Sequence, residues 1–190
     1  MIKVLGIVGS PRKSGNTETI MREALKASEQ EGAETELMRL SDFDLKPCDG
    51  CRTCFETKKC VIKDGMKEIF EKMSEADGII VGSPVYFQNI TAQTKMFMDR
   101  VGYINNARGR KAFRNKIGGV IVVARRSGLS NTSSQILLFL TAIRMIVVSP
   151  VARALASEKG DVIKDREGIE GARELGRTIV QIVKATASLR

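Results

Sequence analysis

The stretch "IKVLGIVGSPRKSGNT", residues 2–17, decides the fold. Ile2–Gly9 is a short apolar run of the kind found in strands buried on both faces of a parallel sheet. Gly9–Thr17, "GSPRKSGNT", is a polar loop rich in Gly, Ser and Pro. It leads into a stretch predicted to be helical from about Thr17 to Gly32, where the glycine provides a stop. A buried strand, a polar loop and a helix form the opening unit of a β-α-β chain.

The same unit repeats downstream. "AETELMRL" (33–40) reads as a second strand. Asp64 is a suitable N-cap for a helix amphipathic over Lys67–Ala76. "GIIVGSP" (78–84) and "IGGVIVVA" (117–124) are buried strands, and "TAQTKMFMDRV" (91–101) between them is a helix. "NTSSQILLFLTAIRMI" (131–146) is a helix apolar enough to be largely buried, and "MIVVSPV" (145–151) is a last strand. "DREGIEGARELGRTIVQIVKAT" (165–186) closes the chain as a helix with Asp165 near its start. Strands alternating with helices predict an α/β doubly wound parallel sheet, and five strands suit the flavodoxin-like order 2-1-3-4-5. The 190 residues read as one domain, 1–190, with a cysteine-rich loop at about 46–62 after the second strand.

Composition narrows the chemistry. There is no histidine, which removes Ser-His-Asp and Cys-His catalysis and His-ligated zinc. The hard chemistry of an enzyme without these belongs to a cofactor. The net charge of +9 suits a phosphate-bearing ligand or an acidic partner. Aromatic residues are 5%, tryptophan is absent and no recognition motif is present, so nucleic acid is not expected as a partner. The first residues lack the pattern of a signal peptide, and no stretch has the roughly 18 apolar residues of a membrane helix. The expectation is a cytoplasmic protein that does not engage membranes, in a compartment where disulfides are disfavoured.

In parallel sheets, ligands sit beyond the carboxyl ends of the strands where strand order reverses. Three loops meet there. In the first, Ser10, Ser14, Asn16 and Thr17 offer small donors, Arg12 adds charge, and a helix start follows: the composition of a phosphate site. It has neither a Walker nor a G-x-G-x-x-G pattern, so a monophosphate fits better than a triphosphate. The second loop, "GSPVYFQNITAQTKMFMDR" (82–100), supplies apolar and polar groups for a flat heteroaromatic ring. The third, "ARRSGLSN" (124–131), carries Arg125, Arg126 and Gly128.

"CDGCRTCFETKKC", Cys48–Cys60, holds every cysteine of the chain. Disulfides, a structural zinc and a redox cluster are the candidate uses. Zinc with four thiolates usually takes two separated C-x-x-C pairs, whereas Cys48, Cys51 and Cys54 at three-residue steps are ferredoxin-like, with Cys60 available for a fourth corner.

"GSPRKSGNT" together with "GSPVYFQNITAQTKMFMDR" resembles the NADPH-dependent FMN reductase branch of the flavodoxin-like proteins. The resemblance covers roughly the first 150 residues. It implies FMN, with the phosphate on Ser10, Arg12, Ser14, Asn16 and Thr17. The isoalloxazine lies against Pro84, Val85, Tyr86, Phe87 and Asn89, and against the third loop with Arg125 and Gly128. The spacing C-x2-C-x2-C-x5-C resembles the iron-sulfur flavoproteins. That implies a 4Fe-4S cluster on Cys48, Cys51, Cys54 and Cys60, assembly as a homo-oligomer (dimer or tetramer), and electron transfer between a donor such as ferredoxin and an acceptor. The alternative is an NAD(P)H-dependent FMN or quinone reductase without a functional cluster. The basic run "NNARGRKAFRNK" (105–116) suggests docking of an acidic redox partner or contact across a subunit interface.

Overall fold

In the computed structural model, which describes residues 1–189, the sheet grows outward from β1 (Lys3–Val8). β1 pairs in parallel with β2 (Glu34–Arg39) on one side and β3 (Gly78–Pro84) on the other. β4 (Ile117–Ala124) follows β3, and β5 (Ile146–Val147) follows β4, giving the order β2-β1-β3-β4-β5. This is the flavodoxin-like order that the strand count predicts.

The fifth position differs from the expected single strand. β5 has two residues opposite Ile117 and Gly118, and a separate β6 (Ala152–Leu155) pairs with the carboxyl end of β4, Ile121–Ala124. Pro150 lies in the gap, and a residue without an N–H cannot serve a ladder. Both pieces run parallel to β4, so the chain returns to the sheet after the interruption.

Side chains along each strand alternate between two apolar layers. Leu5 and Ile7, Ile79 and Val81, and Val120 and Val122 enter one; Val4 and Val8, Ile80, and Ile121 and Val123 enter the other. Helix α1 (Asn16–Gln30) and the last helix, Arg166–Ala185, cover the second layer. They approach closely at Gly176, where an added Cβ would lie 2.0 Å from the Ala24 carbonyl. The first layer is covered by α3 (Met66–Glu75), α4 (Ala92–Ala107) and α5 (Leu129–Ala142). The last helix, α6, is capped by Asp165, whose Oδ1 accepts from Gly168 N–H at 2.9 Å.

Two local expectations shift. α5 starts and ends earlier than expected, and it is not largely buried, since Leu138 stands 65% exposed on its outer face. The cysteine segment, expected to be without helix, contains a one-turn helix α2 (Cys54–Thr57), closed by Lys58 in the left-handed region. Among the described residues, no helix is long and apolar enough to cross a membrane.

Candidate functional site

The carboxyl edge of the sheet carries an open cleft of about 270 Å³, continuous with solvent. It is lined by Ser10, Arg12, Asn16 and Thr17 from the first loop, Pro84, Val85 and Tyr86 from the second, and Arg125 from the third. Ser14, Phe87, Asn89 and Gly128 lie outside this lining.

The first loop leads directly into α1. Gly15 is the N-cap of α1 and provides no side-chain cap, so no side chain of that residue satisfies the opening amides of the helix. Ser10 Oγ accepts from Arg12 N–H at 3.2 Å and shapes the turn. Glu18 underpins it: its carboxylate accepts from Ser14 N–H at 2.8 Å and from Arg22 at 2.7 Å, and pairs with Arg39. Burial alone would raise the Glu18 pKa, but the hydrogen bonds from Arg22, Ser14 N–H and Arg39 outweigh it and lower it. Ser14 thus spends its amide on Glu18, and its backbone is left-handed at φ 52°.

Asn16 is committed elsewhere than the sequence suggests. Its Oδ1 accepts from Gly160 N–H at 2.8 Å, and its Nδ2 donates to the Glu158 carbonyl at 2.7 Å. Both ends of the amide therefore hold the loop after β6. That loop supplies a fourth wall, Ala156, Ser157 and Glu158, absent from the sequence reading. A signal was available: it too leaves a strand at the carboxyl edge.

The second loop turns sharply. Tyr86 and Asn89 exchange backbone hydrogen bonds at 2.8 and 3.1 Å, and Phe87 and Gln88 between them have positive φ. Phe87 is fully exposed at the tip, which is why it does not line the cleft. Gly128, with φ +91°, packs beneath Val85, where a Cβ would come within 2.7 Å. It supports this loop and caps α5. Below, Thr91 Oγ1 donates to the Gly9 carbonyl at 2.6 Å and sits 2.8 Å from Thr94 Oγ1, tying the start of α4 to the end of β1.

The cysteines gather on the other flank of α4. Cys48, Cys51, Cys54 and Cys60 all line one small pocket, with Val61, Ile62, Tyr103 and Ile104 among its walls. All four are free thiols. Left-handed turns at Gly50, Arg52 and Lys58 bend the segment around this pocket. Burial pushes the Cys54 thiol up, and the charges of Cys60, Cys48 and Cys51 push it further, so the four sulfurs feel one another. Among the described residues, no three Cys, Asp or Glu groups stand together at metal-ligating spacing. The donor set is nevertheless suited to a thiolate-held cluster: four sulfurs on one pocket, no competing histidine, and a cation at its floor. That cation is Arg100, missed in the sequence because it lies on the flank of the apolar stripe Phe97, Val101 and Ile104. Its Nη2 donates to Cys60 Sγ at 3.2 Å, and Nη1 pairs with Asp64. Burial opposes ionisation of Asp64, but Arg100 and the amides of Lys46 and Met66 outweigh it and hold its pKa low.

A parallel sheet of this order, with a cationic cleft at its carboxyl edge and a four-cysteine pocket beside α4, defines a flavodoxin-like redox protein. The chain belongs to the NADPH-dependent FMN reductase family, whose model matches residues 2–160, and within it to the iron-sulfur flavoproteins. It is 44% identical to an iron-sulfur flavoprotein of Methanocaldococcus jannaschii, over 96% of this chain and 98% of that protein. It is 34% identical to one of Methanosarcina thermophila, over 96% of each. Among solved structures, an archaeal flavodoxin superposes with TM-score 0.67 at 19% identity, covering 96% of this chain and 99% of that one. RosB with a bound riboflavin-phosphate intermediate superposes with TM-score 0.76 at 18% identity, covering 99% and 81%. Family membership carries an FMN-dependent redox role.

Proposed function

We propose that this chain is an electron-transfer flavoprotein holding FMN in the carboxyl-edge cleft and a 4Fe-4S cluster on Cys48, Cys51, Cys54 and Cys60. The observation that carries this reading is the shared use of α4: its N-cap, Thr91, holds the Gly9 carbonyl beneath the cleft, while Arg100 reaches the cysteine pocket. When bound, a flavin exchanges electrons singly or in pairs and a cluster passes them one at a time.

The residues divide the work. The opening amides of α1, with Arg12, Ser10 and Thr17, would hold the phosphate. Pro84, Val85 and Tyr86 would lie against the ring, with Arg125 offering a cation at the cleft wall. Asn16 keeps the fourth wall in place. No side chain is assigned a proton-transfer step, in keeping with the absence of histidine.

Partners follow from charge. Arg108 stacks over Phe70 at 4.5 Å and donates to the Lys58 carbonyl, which brings the basic run against the cysteine segment. Lys116 is instead engaged with the Ser74 and Ala76 carbonyls at the end of α3. We read the exposed part of the run as a docking surface for an acidic one-electron donor such as ferredoxin, and assembly into dimers or tetramers as part of the working protein.

Anaerobic reduction separates this reading from an NAD(P)H-dependent FMN or quinone reductase. Reduced ferredoxin should bleach the flavin and cluster bands rapidly. Fast reduction by NADPH, with a negligible rate from ferredoxin, would favour the reductase.

A further inference from the structure

Arg100 is the largest fully buried side chain among the described residues, with 1% exposure. A guanidinium so placed must have its charge and its donors answered. Asp64 answers the charge, the Lys46 carbonyl accepts from Nη1 at 3.2 Å, and Cys60 Sγ takes Nη2. Nε has no partner in the structure. Asp64 is itself fixed by the amides of Lys46 at 3.0 Å and Met66 at 3.1 Å.

These contacts form a clamp. Lys46 precedes the first cysteine and Asp64 follows the last, so one guanidinium ties both ends of the cysteine segment to α4. Stability alone does not account for it, because apolar residues of similar volume generally serve a core as well as a buried ion pair. What an apolar side chain cannot do is present a charged N–H to a sulfur.

We propose that Arg100 is a positioning residue: it fixes Cys60 and sets the reduction potential of the group held by that sulfur. The inference rests on the cluster reading above. An N–H bond and a positive charge at a ligating sulfur favour the more negative, reduced state, and so raise the potential.

The test uses the full-length protein purified without oxygen. R100M combined with D64N removes the cation without leaving an orphaned carboxylate; R100K keeps the charge but loses the fork. Iron per chain, the cluster midpoint potential by spectroscopic redox titration, and thermal melting are measured for each. At the wild-type midpoint the double variant should show a ratio of reduced to oxidised cluster at least tenfold lower, which for one electron is a fall of about 59 mV. R100K should shift the same way by less, and the flavin potential should stay unchanged. A cluster potential equal to or above wild type in the double variant overturns the proposal. Loss of iron from a variant that melts like wild type supports the clamp; loss of iron together with the fold in both variants overturns it in favour of a structural role. Wild-type protein without iron is a distinct result that defeats the cluster reading, and this inference with it.

Discussion

Glu18 holds the first loop from inside, with 3% of its side chain exposed. Its folded pKa lies below the ordinary value, so its stabilising contribution is present above the unfolded pKa, near pH 4, and is lost as pH falls through the folded value. Glu18→Gln should therefore cost about 1–2 kcal/mol at pH 7, allowing for the exposed Arg22 partner. Denaturant titration at pH 7 and at pH 3 checks this: the gap between variant and wild type should close in acid. Asn16 gives a second test. Asn16→Leu removes its side-chain hydrogen bonds to Glu158, Gly160 and Val162 after β6, so FMN affinity should fall about tenfold, since 1.4 kcal/mol is a factor of ten. Isothermal titration of deflavinated protein reads it, and an unchanged affinity would show that the fourth wall needs no such tie. The position of Asn16 at the cleft was legible in the sequence, but its task was not. Its partners lie more than 140 residues away, and only the return of β6 beside β4 brings them near.

The helices and strands were legible where local and global signals agree. β3 and β4 are continuous apolar runs bounded by loops, and α6 begins at a residue with a capping carboxylate, so pattern and structure coincide. The fifth strand was harder: "MIVVSPV" reads as one strand, yet Pro150 divides the position and the second segment begins beyond the motif. The one-turn helix at Cys54 escaped because four residues are too few to show a period. Glycine contacts between elements were equally hidden. Gly176 allows α6 to meet α1, and Gly176→Ala would place a methyl against the Ala24 backbone, which cannot yield as a side chain would. The expected loss is about 1–3 kcal/mol, with FMN binding retained because the contact lies between helices away from the cleft. Thermal melting with flavin quantitation separates the two effects.

The whole molecule is two sites on one scaffold. The cleft draws on the loops at the carboxyl edge, and the cysteine pocket on a segment after β2 that packs on α4. Changing Cys51, the most exposed of the four, to Ala should therefore remove or degrade the cluster while FMN stays bound and the fold persists. Electron flow from a one-electron donor should collapse in that variant. In the wild type, if the proposed docking surface is used, the rate from reduced ferredoxin should fall as salt rises, because screening shortens the reach of its charges to about 10 Å at 0.1 M. A rate indifferent to ionic strength would rule out the docking surface. The decisive measurement is iron, acid-labile sulfide and flavin per chain in protein purified without exposure to air. About four irons with matching sulfide should be found, accompanied by FMN. About one zinc with no iron, or flavin present as FAD, would contradict the cofactor assignment.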